Sequence, residues 1–532
     1  MLKVQTLVSP VRFFDEPGLE LLRWVSNRYV AALASVIERS FPPRVAGEEG
    51  SVGPRDTPLH SVGGASPAPI HGTPDLYRNG DSLFGAILER RHGVFRLRPV
   101  PELEQQTAVD AVAACLTSQR RAIVVVPEAD PLPATAAHVL ETFGDRVANF
   151  SGGDKRSRYR MWLEIQAGKY DVVIGTRPAV FAPVSDLGLI WLSRESHGLH
   201  REERAPYFHV RDVALARADI EGAVFVMAAL CHSAEAFVME ATDVTPAGRA
   251  WPPVEIVKPG VEGRAPRLVS ALKDAKRGFL FAPLPGYGVA RVCRNCGEPA
   301  ACAVCGGVLR LQEGVVRCAV CEAEGQCANC GSDDFGIARG GAERVEEWAS
   351  ALTDQPVKRA ERLQPTGVTV GGVEAVKDVD PPEVDLVGIL DADLAARRPG
   401  LAAMERALAV WMEAAAWARP NGRVIVQSRA PNDAAIQALV QGNPQRYYRT
   451  ELPRRAAAGF PAGAPVFRVS GKGELRQELD ATQPVHVLET TLGNETLCLV
   501  TVAPERLDEF GRTVRSLAER GIVTRVEAEP HL

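Results

Sequence analysis

Short unbroken apolar runs alternate along this chain with segments whose apolar residues recur at helical spacing. In the first half the runs are AIVVV at 122–126, DVVIG at 171–175, LGLIWL at 187–192 and AVFVMA at 223–228. A second set follows: GFLFA at 278–282, VTVGG at 368–372, LVGILDAD at 386–393 and RVIVQS at 423–428. Continuous apolar strands separated by helices predict parallel sheets covered on both faces. The pattern predicts an α/β protein of two lobes, at 103–245 and 246–430. The remainder, 431–532, ends strand, strand, helix, strand (VHVLETT, ETLCLVTV, PERLDEFGRTVRSLAERG, VTRVEAE) and reads as an α+β domain.

Ahead of the lobes, Leu19, Leu22, Val25, Tyr29 and Leu33 share one face, so Pro17–Arg39 reads as a single helix within a small unit, 1–45. FPPR at 41–44 ends it. Residues 46–74 hold six Gly and five Pro and read as a flexible linker. Residues 75–102 read as a small helix and a strand, a connector rich in arginine.

Composition narrows the class. The chain has 532 residues, 46% hydrophobic and 24% charged, with a formal charge of −5. A uniformly basic nucleic-acid coat is excluded, so any phosphate-binding surface is local. No apolar run reaches the roughly 18 residues of a membrane span. The first residues lack a secretory pattern, which predicts a cytoplasmic protein.

Eight of the eleven cysteines lie between Cys293 and Cys330. They form four C-x-x-C knuckles: Cys293/Cys296, Cys302/Cys305, Cys318/Cys321 and Cys327/Cys330. Each knuckle puts two thiolates on one side of a tight turn, and two knuckles complete a tetrahedral four-cysteine zinc site. Three pairings are open. Gaps of 5, 12 and 5 residues favour nesting. Cys293, Cys296, Cys327 and Cys330 would then hold one zinc, and Cys302, Cys305, Cys318 and Cys321 the second. All-cysteine sites leave no position for water and are structural. Residues 291–339 carry five Arg against six acidic residues, so this 291–332 insert is no obvious phosphate clamp.

The order of parts resembles the PriA family (primosomal protein N′) of replication-restart helicases. The resemblance is carried by FDEPGLELLRWVSNRYVAAL with FPPR, by VVVPEAD at 124–130, and by GTRPAVFAPVSDLGLIWL at 175–192. PYFHVRDVALARA at 206–218, the cysteine insert preceded by GYGVARV, and GGAERVEEWASAL with LVGILDADLAARRPGLAAMERA extend it over nearly the whole chain. It implies two RecA-like helicase lobes, the second carrying a double zinc insert. It also implies part of an N-terminal DNA-binding domain at 1–45 and a winged-helix-like remnant at 75–102. The implied partners are forked or single-stranded DNA, single-strand-binding protein, and the replicative helicase or its loader. The implied place is the cytoplasm, at the nucleoid. The family's N-terminal domain normally begins some tens of residues earlier, with strands that bind a 3′ end, so either the true start lies upstream or that pocket is incomplete.

The ATPase motifs of that family are missing. No G-x-x-x-x-G-K-[ST] occurs, and its expected place, between Cys115 and Ala122, holds only LTSQRR. Where an Asp-Glu-x-His box should follow LGLIWL, the chain has Ser193-Arg194-Glu195-Ser196-His197, with Arg194 in the Mg²⁺-facing position. The coupling motif is replaced by ALCHSAEA, and only Arg419 persists of the lobe 2 arginine motif. The family's ATP and Mg²⁺ are therefore not expected here, nor is any catalytic residue. This predicts a catalytically inactive homologue that binds forked DNA and helps assemble the primosome. The alternatives are an active 3′–5′ helicase with an unrecognised ATP site, and a protein scaffold with little DNA affinity.

Two basic stretches with interleaved aromatics are candidate DNA contacts. RRHGVFRLR supplies Arg90, Arg91, Arg96 and Arg98; DKRSRYRMW supplies Lys155, Arg156, Arg158, Tyr159, Arg160 and Trp162. The resemblance adds Thr176 and Arg177, at the end of a predicted strand.

Overall fold

The fold is that of a computed structural model. It describes residues 9–530 apart from 10, 51–71, 249–250, 260–263, 284–287, 297–299, 313, 320, 340, 379–383, 398–399 and 493–494. The chain divides into two compact units, one of Met1–Arg249 with Leu452–His531 and one of Ala250–Glu451.

The first unit begins with α1 (Glu16–Arg28) and α2 (Leu33–Ser40). Asp15 caps α1 by accepting from the Gly18 amide, with Pro17 in the first turn. The single helix expected over 17–39 is thus two. Val30 adopts φ +50°, a left-handed conformation costly for a β-branched residue, and is held there with Tyr29 buried beside it. Apolar spacing runs straight through this break, so periodicity cannot see it.

An eight-stranded sheet follows: β1 (Tyr77–Arg78), β2 (Gly93–Leu97), β3 (Arg121–Val125), β4 (Val147–Asn149), β5 (Val172–Gly175), β6 (Leu187–Ser193), β7 (Val224–Ala228) and β8 (Thr242–Pro246). Its order is β1-β8-β2-β7-β6-β3-β5-β4. Every pairing is parallel except β1 with β8. Helices α3 (Gly80–Leu88), α4 (Glu104–Thr117), α5 (Ala134–Phe143), α6 (Lys155–Gln166), α7 (Val210–Glu221) and the short α8 (Ala234–Val238) lie between the strands. α4, AVDAVAACL at its centre, is small and apolar on all sides and is buried almost throughout.

Two expected boundaries move. Residues 75–102 are not a separate winged-helix-like piece, because β2 sits inside the sheet between β7 and β8. The expected linker also starts later than position 46, since Glu48 is buried in a short 3-10 turn, Ala46–Glu48. Its middle, 51–71, lies outside the described residues.

The C-terminal part of this unit is an antiparallel sheet of order β20-β21-β19-β22. Its strands are β19 (Val466–Gly471), β20 (His486–Leu492), β21 (Glu495–Thr501) and β22 (Val523–Ala528), backed by a helix, Leu507–Glu519. The central strand β19 was not legible in the sequence. Phe467, Val469, Phe510 and Val514 share one core with Leu21, Leu22 and Val25 of α1 and with Ile190 and Leu192 of β6. This sheet is therefore continuous with lobe 1.

The second unit is a parallel sheet of β9 (Val254–Val257), β10 (Arg277–Phe281), β15 (Val357–Arg359), β16 (Gly367–Gly371), β17 (Val384–Ile389) and β18 (Ala418–Gln427), in the order β15-β16-β10-β17-β18-β9. Between β10 and β15 the chain forms the cysteine insert. It is a second, antiparallel sheet of β11 (Gly288–Cys293), β12 (Leu309–Gln312), β13 (Val315–Cys318) and β14 (Phe335–Arg339), ordered β13-β12-β11-β14.

Candidate functional site

The insert gathers its eight thiols into two groups. Cys293, Cys296, Cys327 and Cys330 form one, Cys302, Cys305, Cys318 and Cys321 the other, with ligand atoms of each group within 4.8 Å of one another. The grouping is the nested one. Sγ–Sγ distances are 3.7 Å for Cys293–Cys330, 3.6 Å for Cys296–Cys327, 3.6 Å for Cys302–Cys321 and 3.5 Å for Cys305–Cys318. A tetrahedron with Zn–S of about 2.3 Å has edges of ~3.8 Å, so both cradles are the size a zinc ion requires. Strand pairing sets the register. β12 and β13 form the hairpin that brings 302/305 to 318/321, and β11 with β14 brings 293/296 to 327/330.

The knuckles close on left-handed turns. Gly306 (φ +71°) donates to the Cys302 carbonyl and Gly331 (φ +72°) to that of Cys327. An added Cβ would touch nothing at either position, so glycine answers a conformational need rather than a steric one. The backbone N–H of Ser332 leads the contacts that hold the Cys330 thiol down to about 6. In each knuckle the first cysteine is buried and the second more open. Arg294, Arg310 and Arg317 are paired with Asp334, Glu322 and Glu324, leaving little free positive charge on the described part of the insert.

In the first unit, ligands of a parallel sheet collect beyond the C-terminal ends of the strands. The segment expected to hold a phosphate loop, after Cys115, runs from α4 into β3 and so lies at the wrong end. The strand-to-helix loop preceding α4 is instead 98–103, Arg-Pro-Val-Pro-Glu-Leu, without glycine or lysine. Glu104, buried in the first turn of α4, sets a carboxylate where a helix N-terminus would attract phosphate. The loop before α6 does carry Gly152 and Gly153, but Asp154 caps that helix by accepting from the Ser157 amide at 2.8 Å.

Beyond β6, Arg194 is buried at φ +50° and Glu195 is wholly enclosed. One Glu195 oxygen accepts from Arg211 Nη1 at 3.0 Å and from Ser233 Oγ at 2.6 Å; the other accepts from the Ser233 amide at 2.9 Å. Burial alone would raise the Glu195 carboxyl, but Arg211, His232 and Ser233 together hold it below the ordinary range. The network continues outward. Arg211 donates to Asp212 at 2.9 Å, and Asp212 accepts from Tyr29, which ends α1, at 3.0 Å. Arg28 lies 3.5 Å from Asp212 and bonds Glu529, next to β22, at 2.9 Å. The motif-like residues of 193–197, 206–218 and 229–236 thus tie lobe 1 to α1 and to the C-terminal sheet.

The candidate DNA residues divide. Tyr159 and Trp162 are corrections: both are buried, Tyr159 donating to Glu49 at 2.9 Å and Trp162 stacked on Phe13 at 5.5 Å, so neither can stack on a base. Arg156 and Arg160 both grip the buried Glu48. Arg96 is structural, bonding Asp243 at 2.6 Å and the carbonyls of Ala236 and Phe237. Arg98 is half-buried, and burial lowers its pKa. Arg177 donates to the Leu199 carbonyl, with Thr176 half-buried beside it. Arg90 and Arg91 are exposed and paired with Asp186 and Glu89. Lys155 is exposed and Arg158 half-buried, over the Phe150 ring. Sequence reasoning missed what the buried aromatics signal. Tyr159 and Trp162 fall at helical spacing with Leu163, the pattern of a core face.

Two α/β units, the second carrying an insert with paired four-cysteine clusters, define the class of fold. No family model matches the chain. It is 28% identical over 524 residues to the replication restart protein PriA of Treponema pallidum, spanning 90% of this chain and 78% of that protein. It is 29% identical over 506 residues to the probable PriA of Mycobacterium leprae, with 85% and 76% covered. The Bacillus subtilis protein matches at 23% over 458 residues, 77% of this chain and 57% of its own length. Over most of its length the chain is thus similar to replication restart proteins named PriA. Among solved structures, the Escherichia coli DEAH/RHA helicase HrpB aligns at 14% identity and a TM-score of 0.37, covering 68% of this chain and 44% of its own.

Proposed function

We propose that this chain serves replication restart as a binding protein. On this reading it recognises forked or single-strand-containing DNA and helps assemble the primosome and reload the replicative helicase, without hydrolysing ATP. Zinc would sit in both four-cysteine cradles, holding the insert's hairpins in register. The observation that carries the inactive reading is the fate of Glu195. Its carboxylate is buried in an arginine–serine clasp, while the loop before α4 lacks every phosphate-binding element. Phosphoryl transfer needs a phosphate cradle, a metal ligand and a placed acid together. The support for DNA binding is the relatives, named as PriA, the exposed Lys155, and Arg90 and Arg91 in exposed surface pairs.

A second reading, a protein scaffold with little DNA affinity, draws on the ion pairs that neutralise Arg96, Arg156 and Arg160. A DNA-stimulated ATPase assay on zinc-loaded protein tests the inactive reading, with no stimulated turnover expected. Turnover in the range typical of helicase motors would overturn it. Fork binding by anisotropy separates the two binding readings.

A further inference from the structure

The first unit holds a cavity of about 200 Å³ on the side of the sheet away from the strands' C-terminal ends. Phe13, Phe14 and Phe41 line it from the N-terminal segment, and Phe181 and Val184 from the stretch leading into β6. Its size is informative: a cavity of roughly 150 Å³ accepts benzene. One aromatic ring or branched side chain therefore fits, and a nucleotide with its sugar and phosphate does not.

The charge around it is equally specific. Arg217, nearly fully buried, reaches the wall but is already neutralised, bonding Glu221 at 2.6 Å and the Val180 carbonyl at 2.7 Å. Asp15, also in the lining, is exposed. Two carboxylates against one guanidinium leave the lining net negative. An anionic ligand is disfavoured, and a flanking cation is favoured at the Asp15 side.

We propose that this cavity seats one aromatic or branched apolar side chain from a basic segment of a partner protein. The ring supplies burial, and a neighbouring lysine or arginine of the partner answers the exposed Asp15. The site is independent of the DNA-binding reading, because it neither uses the candidate phosphate contacts nor suits a phosphate.

The test uses two acetylated, amidated pentapeptides centred on 4-fluorophenylalanine, one flanked by lysines and one by glutamates, observed by fluorine NMR against the full chain. The lysine probe is expected to shift and broaden saturably at roughly millimolar concentration, as suits one buried ring. The glutamate probe should bind about fivefold more weakly at low salt. Val184→Phe fills the cavity and should abolish the response. Ser185→Trp, at an exposed lining position, should do the same if the first variant fails to fold. Asp15→Ser keeps a helix cap but removes the charge, and should narrow the gap between the probes. Equal binding of the two probes, binding that survives both fillings, or no saturable binding would each overturn the proposal.

Discussion

Glu195 shows how one side chain can keep its place in a motif and lose its freedom. Its carboxylate makes three hydrogen bonds in a site with no exposure, so it balances the Arg211 charge. Glu195→Gln leaves that guanidinium partly uncompensated. The expected cost is about 3 kcal/mol, read as a lowered unfolding midpoint. An unchanged midpoint would show that the clasp is not structural. The neighbouring histidines make the same region sensitive to acid. Burial pushes His200 down to about 4, and burial with Arg211 pushes His209 down to about 3. Below pH of about 6.5 the unfolded chain takes up protons that the folded state refuses. Stability should therefore be whole above that pH and decline as pH falls toward 4 and then 3, by up to about 1.4 kcal/mol per unit for each histidine. A flat melting temperature between pH 7 and pH 5 would contradict this.

At the scale of elements, legibility followed burial. β3, β5, β6 and β7 are enclosed on both faces, and each announced itself as an unbroken apolar run. β2 hides because Arg96 interrupts its apolar residues, and that arginine is satisfied by Asp243 and by carbonyls distant in sequence. The break between α1 and α2 was equally invisible, being fixed by what Tyr29 touches on α7. Knuckle spacing, by contrast, is a local geometric code, so the cysteine groups could be read before the fold. That gives the insert a direct prediction. Cys302→Ser should reduce bound zinc from two ions to one by elemental analysis and loosen the β12–β13 hairpin, because metal binding supplies much of the folding energy of so small an element. Two ions retained in the variant would mean that the pairing, or the metal, is otherwise.

For the molecule as a whole, a net charge of −5 makes DNA binding depend on where cations are free. The sequence suggested two basic patches; the structure consumes much of both. Arg156 and Arg160 fasten Glu48, and Arg96 fastens Asp243 and the carbonyls of α8, so these three cannot also neutralise phosphate without releasing their partners. Pairing of this kind depends on residues far apart in sequence and leaves no trace in local charge counts. What remains outward is Lys155, with Arg90 and Arg91 in exposed surface pairs and Arg158 half-buried over Phe150. The two groups predict different behaviour in a fork-binding titration against salt. Charge reversal at Lys155 and Arg158 should weaken binding to all sequences alike and flatten the log–log salt slope by roughly 0.7 to 0.9 for each phosphate no longer neutralised. Charge reversal at Arg156 and Arg160 should leave the salt slope unchanged and instead expose residues 44–49 to limited proteolysis, since Glu48 then faces two like charges. Tyr159→Ala should lower stability without favouring duplex over single strand, because its ring lies in the core. Fork binding that ignores salt, or a slope that falls with Arg156 and Arg160 but not with Lys155 and Arg158, would place the DNA on a different face of the protein.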